Sequence, residues 1–138
     1  MHTVIYADVF NFALTPRELH HFLMTDAPTS PSEVERVLNT SLFLQSVLHT
    51  ENGYIVTNGR EALIALRQQR EAASQRLWSQ ALRYGAWLAR LPFVRMVALT
   101  GALAMRNASA DDDDLDYVLV ATARRVWLAR AFAIVIVR

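Results

Sequence analysis

Leu99-Thr-Gly-Ala-Leu-Ala-Met-Arg-Asn-Ala-Ser-Ala-Asp-Asp-Asp-Asp-Leu-Asp-Tyr-Val-Leu-Val120 is the stretch that decides how the carboxy-terminal half of this chain folds. Its first residue belongs to an apolar run, Val94 to Thr100, that suits a buried strand. Gly101 permits a tight turn into a short helix over Ala102 to Arg106. Thirteen residues after Gly101 comes Asp114-Leu-Asp116, which opens a second apolar strand ending at Ala121. Side chains alternate along a strand, so Asp114 and Asp116 are expected on one face and Leu115 and Tyr117 on the other. Two carboxylates on one face, close to a helix N-terminus, form a set that holds Mg²⁺ against a phosphate chain. An isolated acidic run such as Asp111 to Asp114 is ordinarily a solvated loop. The order strand, glycine turn, short helix, loop and acid-opened strand sets this one apart.

The amino-terminal half carries different punctuation. Thr15-Pro-Arg-Glu18 and Ser30-Pro-Ser-Glu33 are capping boxes with Pro at the first helical position, predicting helices over 16–24 and 31–40. Apolar residues at 5, 6, 9, 10 and 12 predict an earlier helix within Thr3 to Phe12. Leu44 to Thr50 and Tyr54 to Thr57 flank the turn dipeptide Asn52-Gly53, predicting a hairpin. Three helices followed by a hairpin is the order of a winged helix. From Asn58 to Leu91 the apolar positions 63, 66, 73, 77, 81, 84 and 88 fall on one stripe of a long helix that Pro92 ends. Arg76, Arg83 and Arg90 recur on another stripe, predicted to be a solvated face, with a cationic stripe facing the phosphate site or a nucleic acid as the alternative. Beyond Arg124 a helix is expected, with a strand over Ile134 to Val137 as the alternative for that β-branched run.

Composition removes several chemistries. The chain has 138 residues, 53% of them hydrophobic, enough for a core in one ordinary domain or two small ones. It has no Cys, which excludes disulfides, thiolate zinc sites and cysteine nucleophiles. All 14 basic residues are Arg, so neither a Schiff-base lysine nor a P-loop lysine is available. The start does not read as a signal peptide, and the apolar segment Val126 to Val137 is too short for a membrane span, so the expected location is cytoplasmic. Charge is uneven: three Arg against six acidic residues over 1–60, six against two over 61–95, and five against five over 96–138. His20 and His21 are adjacent on a predicted helix and diverge too far to share a metal ion, and Trp78, Trp87 and Trp127 are expected in core packing.

Thr100-Gly-Ala-Leu-Ala104 followed by Asp114-Leu-Asp-Tyr117 resembles the Gly-Ser plus Asp-x-Asp signature of the DNA polymerase β-like nucleotidyltransferase superfamily. Nearly the whole chain, including Arg125-Val-Trp-Leu-Ala-Arg130, is similar to a bacterial subgroup of proteins with such a domain. In that subgroup a winged-helix-like segment, with a start similar to Tyr6-Ala-Asp-Val-Phe-Asn-Phe-Ala-Leu-Thr15, precedes the transferase. The resemblance implies an α+β chain: a winged-helix-like domain over 1–58, a connector helix over 59–91, and the first part of a nucleotidyltransferase α/β core over 92–138. It implies Asp114 and Asp116 as catalytic carboxylates and Mg²⁺ ligands, and Gly101 and Ala102 as the nucleotide-binding turn. The implied donor is a nucleoside triphosphate, with nucleoside monophosphate passed to an unidentified acceptor. Two positions depart from the pattern. Ala102 stands where the family usually has Ser, and no Asp or Glu follows Asp116, where the family uses a third carboxylate. The family's sheet continues past the point where this chain stops, so the expectation is a piece of a longer protein or a form that has lost catalysis.

Two other functions compete. A winged-helix regulator would bind DNA, but helix 31–40 offers Glu33 and Glu35 against Arg36 alone, which disfavours phosphate contact. The arginines of 67–90 keep that alternative open. The other is an inactive scaffold, whose apolar segment Phe132 to Val137 is buried in a larger fold or a homo-oligomer.

Overall fold

The computed structural model describes residues 1–137; Arg138, the last residue of the predicted core, lies outside them. The chain is α+β, 54% helix and 15% strand, with two small antiparallel sheets. It divides into two compact units, one over Met1–Gln68 and one from Gln69 onward.

The first unit opens with α1 (His2–Val9), α2 (Pro16–His21), α3 (Pro31–Thr40) and α4 (Leu42–Val47). Strands β1 (Leu48–Glu51) and β2 (Tyr54–Thr57) follow. The two predicted capping boxes form, with the Thr15 hydroxyl accepting from the Glu18 N–H and the Ser30 hydroxyl from the Glu33 N–H. Helix α1 stops short of the expected Phe12 because Asn11 takes φ 52°, while the Asn11 and Phe12 N–H groups donate back to the Asp8 and Ala7 carbonyls. That closure satisfies the last carbonyls, and Asn tolerates the left-handed position it needs. Helix α2 stops at His21, before the expected residue 24, and the Met24 N–H turns to the Thr3 hydroxyl at 3.1 Å.

Leu44 to Val47, expected as strand, are helical. Ser41 caps the Leu44 N–H at 3.3 Å, and Leu44, Val47 and Leu48 face the core at a spacing that suits a helix. The hairpin turns at Asn52 and Gly53, with φ 51° and 79°, and Glu51 pairs with Tyr54. A two-residue turn with both φ positive matches the twist of the strands it joins. Leu14 bridges Ile55 on the edge of this hairpin, through N–H to carbonyl bonds of 3.1 and 2.7 Å. Val4, Phe12, Leu14, Leu19, Val34 and Ile55 form the core.

Arg67 lies on α5 (Ala62–Ala89), whose residues to Gln68 belong to this unit. Only 2% of its side chain is exposed, against the solvated arginine face expected further along the helix. One Glu18 oxygen accepts from Arg67 Nη2 at 2.8 Å, and the other accepts from the Thr15 N–H at 2.9 Å. The guanidinium also lies 4.3 Å from the Phe12 ring centroid. One carboxylate therefore caps α2 and neutralises a buried cation.

The second unit contains the rest of α5, then β3 (Val94–Leu99), α6 (Gly101–Ala104), β4 (Tyr117–Ala121) and α7 (Val126–Val137). Strands β3 and β4 are antiparallel, from Val94 opposite Ala121 to Leu99 opposite Tyr117. The predicted stripe of α5 is the buried one: Leu77, Ala81 and Leu88 are all below 6% exposed. Leu77 and Ala81 pack with Leu103, Ala108, Trp78, Leu99 and Leu115. Arg76, Arg83 and Arg90 are exposed, as the spacing predicts. The run Ile134 to Val137 is helical rather than a strand. Trp87 and Trp127 leave the expected core, 41% and 78% exposed, while Trp78 is packed against it.

Replacing Glu18 with Ala removes the counter-charge of a buried guanidinium together with the α2 cap. The expected loss is about 3 kcal/mol in urea unfolding followed by circular dichroism. Glu35→Ala, on an exposed face of α3, should change stability by less than about 0.5 kcal/mol.

Candidate nucleotide and metal site

Gly101 begins α6 at φ +68°, with only Thr100 between it and Leu99, the last paired residue of β3. The Asp116 carboxylate lies over it: a Cβ added at Gly101 would collide with Asp116 Oδ2 and approach Asp116 Cγ at 3.1 Å and Cβ at 3.2 Å. The left-handed backbone angle favours glycine here, and a side chain at 101 would also require the exposed Asp116 carboxylate to move aside. The chain is closed by Thr100, whose N–H donates to the Asp116 carbonyl at 2.8 Å and whose hydroxyl reaches the same oxygen at 3.3 Å. Thr100 thus extends the ladder by one step instead of capping α6 with its side chain.

Asp114 and Asp116 lie just ahead of β4 rather than inside it. Their exposure still alternates with half-buried Leu115 and Tyr117, so the two carboxylates share the solvent side of one extended segment. Asp114 takes its backbone N–H to Asp113 Oδ1 at 3.1 Å. Ala102 is exposed on α6, and its carbonyl accepts from the Asn107 N–H at 2.8 Å. The structure brings Gly101 and Asp116 into contact, with Ala102 beside them in sequence. Among the described residues, no group of three or more His, Asp or Glu side chains is gathered as a metal cage.

The loop between α6 and β4 is fastened to α5 by residues that the sequence did not single out for this role. Ser74, 1% exposed, accepts from the Ala108 N–H at 3.0 Å and donates to the Arg70 carbonyl at 2.7 Å. Arg70 Nη1 donates to Asn107 Oδ1 at 3.2 Å, and Arg76 pairs with Asp111 at 2.6 Å. Asp113 turns inward to accept the Ser109 N–H at 2.7 Å. Arg70 and Ser74 share a helix face by their spacing, but their loop partners lie more than thirty positions away. No local signal connects them.

Tyr117 anchors the following strand. Its hydroxyl donates to the Ala81 carbonyl at 2.6 Å, and burial pushes the phenol up from its ordinary value. The histidines are engaged elsewhere: His20 Nε2 lies 2.8 Å from the Thr29 carbonyl, and the His21 ring packs edge-on against Phe22. No protein-family model, curated protein or solved structure matches this chain.

Gly101→Ala is expected to cost about 2 kcal/mol in urea unfolding followed by Trp fluorescence, from the left-handed backbone and the carboxylate contact. Shortening the opposing side chain should recover part of that loss. The Gly101→Ala/Asp116→Ala pair is therefore expected to be less destabilised than the sum of its single changes. Tyr117→Phe should cost about 1 kcal/mol at neutral pH. Because the folded phenol ionises less readily, the stability it contributes is complete below about pH 10 and declines as pH rises through the raised folded value. Unfolding titrations should show that alkaline decline reduced in Tyr117→Phe.

Proposed function

We propose that the second unit is the leading part of a nucleotidyltransferase-like core, with Asp114 and Asp116 as its Mg²⁺-binding carboxylates. The observation that carries this reading is the Asp116 carboxylate seated over the Gly101 turn, with Asp114 exposed on the same extended segment. Two carboxylates suit Mg²⁺, which takes few protein oxygens and completes its octahedron with water and substrate phosphates. When bound, the ion supplies charge neutralisation at the phosphates and activation of an attacking hydroxyl. The backbone at Gly101 and Ala102 would line the phosphates of a nucleoside triphosphate. Without the metal, carboxylate and phosphate repel one another at this turn, so nucleotide binding here depends on Mg²⁺.

The donor set also defines a limit. Ala102 brings no hydroxyl to the phosphates, and no carboxylate follows Asp116 in the chain. Binding is assigned to these residues; transfer of a nucleoside monophosphate to an acceptor requires a further acid that they do not include.

The first unit supports a winged-helix-like reading through its order, with α4 as an addition: α1, the Leu14 bridge to Ile55, α2, α3, α4 and the β1–β2 hairpin. A DNA-binding role is disfavoured by the exposed Glu33 and Glu35 on α3.

Calorimetric titration of the 138-residue chain with ATP should show saturable binding in Mg²⁺ that EDTA abolishes. Asp114→Asn and Asp116→Asn are each expected to weaken it by at least about 10-fold. Absence of binding, or binding that neither change affects, overturns the proposal.

A further inference from the structure

We infer that the Val94/Ala121 end of the second unit, opposite the Gly101 turn, is a binding site for single-stranded nucleic acid, with arginines on the phosphates and exposed rings against the bases. The inference is independent of the metal reading and makes no use of α3.

Arginines reach this end from three places in the chain. Arg83 and Trp87 share a face on the last turns of α5, and Arg90 follows directly, its N–H on the Trp87 carbonyl at 3.1 Å. Arg95 lies in the bulge of β3 between Val94 and Met96 and lines a cleft with Ala86 and Ala89 of α5. Arg124 and Arg125 lie in the turn after β4, which the Thr122 N–H and hydroxyl tie to the Phe93 carbonyl at 2.8 and 3.3 Å. All these arginines are exposed, and among the described residues none of them is in a salt bridge. No Asp or Glu occurs over 72–110 or after Asp116, the stretches that supply this end. A patch of this kind is hydrated when bare, so its charge, and not a need for cover, selects the occupant: a polyanion.

The rings make that polyanion a nucleic acid. The Arg83 guanidinium lies 5.6 Å from the Trp87 ring centroid, and the Arg125 guanidinium 5.3 Å from that of Phe93. The two rings are 41% and 37% exposed. Each pair offers a stacking surface beside a cation, which suits an unpaired base and its phosphate. A duplex keeps its bases stacked on one another and leaves the rings unused. A bilayer would have to take up each ring with the guanidinium that lies over it, and burying that charge opposes insertion. The backbone points the same way. Phe93 and Arg124 are both left-handed, at φ 73° and 65°, a conformation that bulky residues rarely take. Gly or Asn would make either turn without strain. Strain of this kind gathers at ligand sites, and here it sets a ring and an arginine on two turns that hydrogen bonds hold together.

The test is fluorescence anisotropy of a labelled oligothymidylate of about a dozen nucleotides, titrated with the 138-residue chain. EDTA is present and silences any Mg²⁺ site, so this titration and that of ATP fail independently. Binding is expected at low salt with a dissociation constant of about 1–100 µM. Arg83→Gln/Arg90→Gln and Arg124→Gln/Arg125→Gln should each weaken it by about 10-fold or more and lower the salt slope by about 1.4. Trp87→Ala should weaken it by about 5-fold or more, whereas Trp87→Phe should largely retain it. Arg17→Gln, at an exposed position of α2, should leave it unchanged. Circular dichroism of each variant should match that of the unaltered chain. The inference is overturned by absence of binding at low salt, by binding that neither arginine pair affects, or by equal weakening in Arg17→Gln. A duplex of the same length bound as tightly as the strand also overturns it, as does sedimentation with phosphatidylserine vesicles in the absence of oligonucleotide binding.

Discussion

The contact between Gly101 and the Asp116 carboxylate is the constraint around which the second unit is arranged. A two-stranded ladder is marginal alone, and β3 and β4 are separated by a helix and an acidic loop instead of a tight turn. Their final step is therefore closed by tertiary means. Thr100 donates to the Asp116 carbonyl, and the Asp116 side chain occupies the space left by a missing Cβ. Any other residue at 101 would displace the carboxylate and strain the turn. The geometry that completes the ladder also presents the acid to solvent, so one glycine links the local fold to the candidate chemistry.

The acidic loop shows how a repulsive sequence is made compatible with a defined conformation. Five carboxylates within six residues favour separation, and neighbours in the fold relieve two of them. Arg76 takes Asp111 and the Ser109 N–H takes Asp113, while Ser74 holds the loop backbone at Ala108. Asp112, Asp114 and Asp116 stay exposed. The attachment of the loop to α5 therefore does not depend on these three carboxylates. The first unit solves a related problem with Glu18, which serves a helix cap and a buried arginine at once. A charge inside a small core is tolerable only when its partner is held in place, and here the cap holds it.

Much of the local structure was legible because its causes are local. The boxes at Thr15 and Ser30 predict helix starts, and Asn52-Gly53 predicts the hairpin turn. The period of α5 predicts its buried face, and the alternation from Asp114 to Tyr117 predicts which residues meet solvent. The errors have equally definite origins. Leu44 to Val47 carry apolar spacing that suits helix and strand alike, and the Ser41 cap decides between them. Asn11 ends α1 by a conformation that periodicity does not register. Trp127 follows a helical pattern, yet a pattern does not say whether anything packs against it.

The amino-acid order alone was sufficient for the α+β class, for the element succession apart from α4, and for singling out the glycine turn and the Asp-x-Asp segment, since propensity, capping and periodicity act over a few residues. It was also sufficient to exclude thiol and lysine chemistry, because those residues are absent. Tertiary structure alone set the Asp116 carboxylate on Gly101, placed Ser74 and Arg70 under the acidic loop, buried Arg67 against Glu18, and left Trp127 and Val135 of α7 exposed. Each joins residues far apart in the chain or sets a face against a particular neighbour. Such pairings depend on how whole elements pack, which no short window of sequence contains.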